Sequence, residues 1–165
     1  MIVLRTAAEG SAIALEPIPK AAANTLGQAL AAIDPWARYP IGSEVLSAYL
    51  GSKEPSAPRY LIRVDRTVAG AIGIRENWMR GPYLQFLGLL PQYQRDGIGR
   101  LVLAWFEGTA RARGDGNLWV AASDFNTAAV RFYERHGFVR AALLDDLISD
   151  GKCEVLLRKK LGGKK

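Results

Sequence analysis

The stretch from Leu84 to Arg113, LQFLGLLPQYQRDGIGRLVLAWFEGTARAR, constrains the fold more than any other part of the 165-residue chain. It opens with an apolar run, passes through a loop holding Gly97 and Gly99, and ends in a long amphipathic segment. In that segment Ile98, Leu101, Val102, Trp105 and Phe106 fall at i, i+3, i+4, i+7 and i+8, the spacing of one helix face. A second apolar run, Asn117 to Ala122, follows after glycines and suits a buried parallel strand. Strand, helix and strand in that order demand a right-handed crossover, so the chain must hold a parallel pair.

The flanking segments predict what surrounds that pair. Residues 1 to 10 form an arm or an edge strand, and Ser11 to Ile18 a strand stopped by Pro17 and Pro19. Ala21 to Ile33 places Leu26, Leu30 and Ile33 at helical spacing, and Ser43 is expected to cap a short second helix. Arg59 to Val64 and Thr67 to Ile74 read as a hairpin turning at Asp65-Arg66, with Arg75 to Pro82 as a loop. After the crossover, Phe125 to His136 is a helix ended by Gly137, and Phe138 to Leu144 and Cys153 to Leu161 are strands. The antiparallel strands make the sheet mixed, in an α/β or α+β sandwich with helices on both faces. At 18.0 kDa, one domain over residues 1 to 165 is expected.

Composition narrows the function classes. No apolar run approaches the roughly 20 residues of a membrane helix, and the N-terminus lacks a signal-peptide pattern. One cysteine, Cys153, and one histidine, His136, supply neither a disulfide nor a zinc site, so a reducing, cytoplasmic setting and no metal are expected. The net charge is +6, with Arg158, Lys159, Lys160, Lys164 and Lys165 in a basic C-terminal tail over about residues 158 to 165. That tail reads as a solvated end. Basic residues do not interleave with aromatics along a face, so no nucleic-acid partner is expected.

The glycine loop is where chemistry enters. A helix starting near Gly97 to Gly99 offers free N–H groups and the positive end of its dipole. Without Cβ atoms there, a bulky anion can approach the backbone, with Gln94, Arg95 and Arg100 as further donors. Glycines that merely turn the chain would look the same. A dinucleotide loop wants a third glycine where Val102 stands, and a Walker loop wants Gly-Lys-Ser/Thr, which is absent. In the preceding strand, Leu84 and Phe86 give way to Leu87 and Leu89, a phase slip beside Gly88 that predicts a β-bulge. A bulge splays the parallel pair and leaves N–H and C=O groups facing a gap, where an extended amide-bearing ligand can pair. A pyrophosphate carrying an amide-bearing arm describes coenzyme A.

LGLLPQYQRDGIGRLVL, followed by NLWVAASDFNTAAVRFYERHGF, resembles the GNAT superfamily of acyl-CoA-dependent N-acyltransferases. Gln94, Gly97 and Gly99 match its Gln/Arg-x-x-Gly-x-Gly/Ala motif; Asn126, Ala129, Tyr133, Gly137 and Phe138 match its second signature. The match is good over roughly residues 59 to 145 and rests on element order before that. The resemblance implies a mixed, mainly antiparallel sheet of six to seven strands with a central splayed parallel pair. It implies acetyl-CoA as co-substrate, with Leu87 and Leu89 pairing the pantetheine arm by backbone groups. The run Gln94, Arg95, Asp96, Gly97, Ile98, Gly99 and Arg100 would hold the pyrophosphate, and Asn126 would lie near the pantetheine. The acceptor would be a small-molecule or peptide amine, and homodimerisation is compatible with the resemblance.

Acyl transfer to an amine needs a neutral amine, a polarised thioester carbonyl and a proton for the leaving thiolate. Tyr133 is the expected general acid, since a phenol titrates near pH 10 and a thiol near 8.5. Spacing alone favours a core aromatic; the resemblance favours the acid. The base is less defined. The strand offers Gln85 where the family often has glutamate, leaving Glu76 as the tentative base and Asp124 as a second candidate. Trp36, Tyr39, Tyr49, Trp78 and Met79 are candidates to cover or line an acceptor cleft. The absent strand glutamate also keeps open a non-catalytic acyl-CoA-binding sensor.

Overall fold

The computed structural model describes residues 1–162; Lys164 and Lys165 of the basic end lie outside the described residues. In chain order the elements are β1 (Ile2–Arg5), β2 (Ile13–Pro17), α1 (Lys20–Ala31), α2 (Ser43–Gly51), β3 (Arg59–Val64), β4 (Thr67–Trp78) and β5 (Gly81–Leu89). Then follow α3 (Ile98–Arg113), β6 (Asn117–Ser123), α4 (Thr127–Arg135), β7 (Val139–Asp145) and β8 (Cys153–Lys160). The strands make one sheet in the order β1-β2-β3-β4-β5-β6-β8-β7, antiparallel throughout except for β5 and β6.

The amphipathic stripe of α3 explains why it sits where it does. Ile98, Val102, Leu103, Phe106 and Ala110 are buried against one sheet face together with Val130 and Tyr133 of α4. Leu26 and Leu30 of α1, with Leu46 and Leu50 of α2, cover the other face. Each of these valine, leucine, isoleucine and phenylalanine side chains removed from water stabilises the fold by about 1.5–3 kcal/mol. Helix α3 stops at Gly114, whose left-handed φ of 79° allows its N–H to reach the Ala110 and Arg111 carbonyls.

Three expectations change. The sheet has eight strands, not six or seven, because the N-terminal arm pairs with β2 as an edge strand. The segment Arg75 to Pro82 is not a loop: β4 runs on to Trp78, and a tight turn with Met79 and Arg80 at positive φ leads into β5. Of the basic tail, Arg158 to Lys160 belong to β8, with Arg158 donating to Asn117 Oδ1 (2.7 Å) and Lys159 to Glu107 (2.6 Å), so this part is not a free solvated end.

The bulge in β5 exists, but at Gln85 rather than beside Gly88. Gly73 pairs with Phe86 and Ile74 with Leu84, so Gln85 has no partner; Leu87, Gly88 and Leu89 pair in unbroken register. Leu84 consequently belongs to the core on the α3 side and Phe86 to the core on the α1 side. Pairing between β5 and β6 is confined to Tyr83 with Trp119 and Leu84 with Val120. Beyond the bulge the two strands part, and the gap opens toward the start of α3.

Candidate active site

One half of the site is the splayed end of β5. The Leu90 N–H donates to the Ala69 carbonyl (2.8 Å) on β4, and Gly88 pairs with Ala71. Backbone groups alternate sides along an antiparallel strand, so those of Leu87 and Leu89 turn toward the gap. The Leu89 carbonyl is already met there by the Gln94 amide at 3.0 Å. Gln94 therefore braces the strand end instead of offering its amide to an anion.

The other half is the start of α3. Gly97 precedes the helix with φ 77°, and no atom lies within 4 Å of where its Cβ would stand. The first bond into the helix runs from the Leu101 N–H to the Gly97 carbonyl, so the N–H groups of Ile98, Gly99 and Arg100 have no partner within it. Ile98 is buried and anchors the turn. The Cβ position of Gly99 faces Phe132 at 3.5 Å, so this glycine serves packing as well as access. Arg95, itself at φ 71°, and Arg100 are exposed and form no ion pair among the described residues; Asp96 is exposed beside them. Free amides, an open approach and unpaired guanidiniums fit a pyrophosphate, and the gap-facing backbone fits an amide-bearing arm. The residues present thus fit coenzyme A.

Between these halves and the α1–α2 side lies a cleft of about 380 Å³. Leu87, Asn126 and Tyr133 line it, as do Trp36, Tyr39 and Tyr49. Asn126 caps α4, its side-chain carbonyl accepting from the Ala129 N–H at 3.3 Å. Tyr133 is 6% exposed, packed edge-on against Phe132 and Phe138. Its hydroxyl has no hydrogen-bond partner among the described residues, and burial pushes its pKa well above the ordinary phenol value. Such a phenol stays protonated at neutral pH and gives up its proton only in concert with the gain of another.

Glu76 does not belong to this cleft. It sits at the β4–β5 turn, paired with Arg113 at the far end of α3 (3.0 Å), beside Trp78 and Met79. Reading that segment as a loop left its direction open, whereas the strand carries it to the sheet end opposite the splay. Asp124 does not line the cleft either, and His136 is occupied at the helix end by the Phe132 carbonyl (2.7 Å). The Cys153 thiol is raised to about 11, first by its hydrogen bond to Asp145 and then by burial, which suits no nucleophile.

The acid missed in the sequence is Glu154. It lines the cleft, is 5% exposed and accepts a short hydrogen bond from the Tyr39 hydroxyl; Tyr39 also meets Ser123 Oγ at 2.6 Å. Burial and the Glu154 carboxylate push Tyr39 up to about 12. The one hint available was an acid heading the otherwise apolar run CEVLL. Among the described residues no cluster of His, Cys, Asp or Glu could hold a metal ion, and no helix is long and apolar enough to cross a membrane.

Residues 26–138 match the model of the Acetyltransferase (GNAT) family. A streptothricin acetyltransferase from Streptomyces lavendulae is 26% identical over 116 residues, which cover 67% of this chain and 61% of that protein. The ribosomal-protein-S18-alanine N-acetyltransferase from Escherichia coli has a similar structure (TM-score 0.73, 15% identity, 93% of this chain and 96% of that one). So has a GNAT family acetyltransferase from Elizabethkingia anophelis with acetyl-CoA bound (TM-score 0.66, 17% identity, 90% and 97%).

Proposed function

The chain belongs to the GNAT family of acetyltransferases, and we propose that it moves an acetyl group from acetyl-CoA directly to a primary amine of a small molecule or peptide. The observation that carries this reading is Tyr133, a buried phenol with a free hydroxyl in the wall of the cleft beside the splayed strand. Bound across the two halves of the site, acetyl-CoA supplies the activated thioester. The first-turn N–H groups of α3, with Arg95 and Arg100, hold its pyrophosphate. Backbone groups of Leu87 and Leu89 align its arm, and Asn126 keeps the start of α4 in place beside it. Tyr133 gives its proton to the departing thiolate sulfur and recovers one from the nitrogen that has formed the new bond.

The relative named for streptothricin supports a small-molecule amine as acceptor, although the chain spans only 61% of it. A single cysteine supports a cytoplasmic setting. A pure acyl-CoA sensor would have no use for an unpartnered phenol at this place. Thiol release from acetyl-CoA across a panel of small amines and peptide N-termini tests the reading. Amine-dependent release is expected; tight binding of acetyl-CoA without release to any amine would sink it in favour of the sensor.

A further inference from the structure

Among the described residues that line the cleft, Glu154 alone carries a charge. A carboxylate this deep is costly unless something compensates it. Its Oε1 accepts from the Tyr39 hydroxyl, a neutral donor, whereas Oε2 has no partner among the described residues and is not sealed from the cleft. No lysine or arginine pairs with it among the described residues: Lys152 lies over the Tyr39 ring at 5.9 Å, and Arg158 is taken up by Asn117. The same cleft is lined by the rings of Trp36, Tyr39, Tyr49, Tyr83 and Phe86. Aromatic faces with one buried anion make a receptor for an organic cation.

We propose that Glu154 is the acceptor-binding residue: its Oε2 holds the ammonium form of the incoming amine, which gives one proton to water in the open cleft before the neutral nitrogen attacks, while Tyr39, itself held by Ser123, fixes the carboxylate from behind. This rests on the acetyltransferase reading and deepens it. The substrate class becomes small alkylamines that are cationic at neutral pH and slim enough to enter between aromatic rings. Arylamines, which are uncharged there, are poor acceptors. The arrangement also supplies what the bulged strand lacks, where Gln85 offers no acid.

The test uses two probes of nearly one shape, benzylamine and benzyl alcohol, titrated calorimetrically into the full chain saturated with coenzyme A. The wild type is expected to bind the ammonium at least tenfold more tightly than the alcohol, the range of a hydrogen bond to a charged group. Glu154→Gln should abolish that preference while leaving alcohol binding and coenzyme A affinity unchanged. Glu154→Asp, which keeps the charge, should retain it, and covers the case of a glutamine variant that does not fold. A purely structural clamp would instead weaken both probes together. Equal or no binding of the two probes by the wild type, or a preference surviving in Glu154→Gln, overturns the proposal. The amine-panel assay separates the two readings: a charge preference without acetyl transfer would refute the function and leave this receptor standing.

Discussion

Replacing Tyr133 by phenylalanine should lower activity and leave stability nearly unchanged. The ring is fixed by Phe132 and Phe138, so phenylalanine fills the same space. Only the hydroxyl is lost. It makes no hydrogen bond among the described residues and is not sealed from the cleft, where water can meet it, so its removal should shift stability by no more than about 0.5 kcal/mol. For a chain of this length that is a change in Tm of at most about 2 °C. In the proposed role of general acid, the same group accounts for about 10²–10⁴ in rate, or about 3–5 kcal/mol of transition-state stabilisation. Stopped-flow thiol release would show the fall in kcat, calorimetry an unchanged affinity for acetyl-CoA, and a thermal scan a nearly constant Tm. An unchanged kcat refutes the role in proton transfer. A Tm lowered well beyond that range would mean that the hydroxyl is bonded in the folded protein, and the fall in kcat would then not isolate proton transfer.

Glu76→Gln should leave kcat and KM for acetyl transfer unchanged and cost at most about 1 kcal/mol in denaturant melts, because its pair with Arg113 is over one-third exposed and away from the cleft. Removing both Arg95 and Arg100 as alanines should weaken coenzyme A binding about 5- to 30-fold, corresponding to about 1–2 kcal/mol. It should also flatten the salt dependence of binding, as read by titration at low and high ionic strength. Tyr39 and Tyr49 are each raised to about 12, chiefly by burial. The folded chain holds these protons more tightly than the unfolded one, where a phenol titrates near pH 10. Their contribution to stability is therefore complete below about pH 10 and lost as pH rises through about 12. Denaturation midpoints across that window should fall, and fall less in Tyr49→Phe.

Local periodicity carried the crossover. The stripe from Ile98 to Phe106 and the apolar run after it needed no tertiary information, and the anion-binding turn followed from the helix start. The bulge was misplaced for a physical reason. Both faces of this sheet are buried, so Leu84 and Phe86 look alike in sequence although they enter different cores. Glu76 lies away from the cleft because the polar run RENW, which reads as a loop, continues a strand whose partner holds it there. Glu154 could not be found from spacing at all. Its hydrogen-bond partner, Tyr39, lies 115 positions away, and only the sheet order brings β8 beside β6 and the Tyr39 turn over both. Local pattern exposed the splayed-strand side of the cleft; the Glu154 side is assembled by topology.

The parting of β5 from β6 has a consequence for how such a site survives change. Its strand half is composed of main-chain groups, which nearly every residue type provides. Mutation at positions 87 and 89 can alter size, branching or polarity and still present the same amide edge; proline, which lacks the N–H, is the exception. What selection must preserve there is the path of the strand, held by the bulge at Gln85 and the brace from Gln94. The wall around Glu154, the proposed acceptor side, is of the opposite kind, made of particular side chains that can each be exchanged singly. A lineage could therefore retune its amine while keeping its acetyl donor, with most of the neutral drift on one side of the cleft and most of the adaptive change on the other.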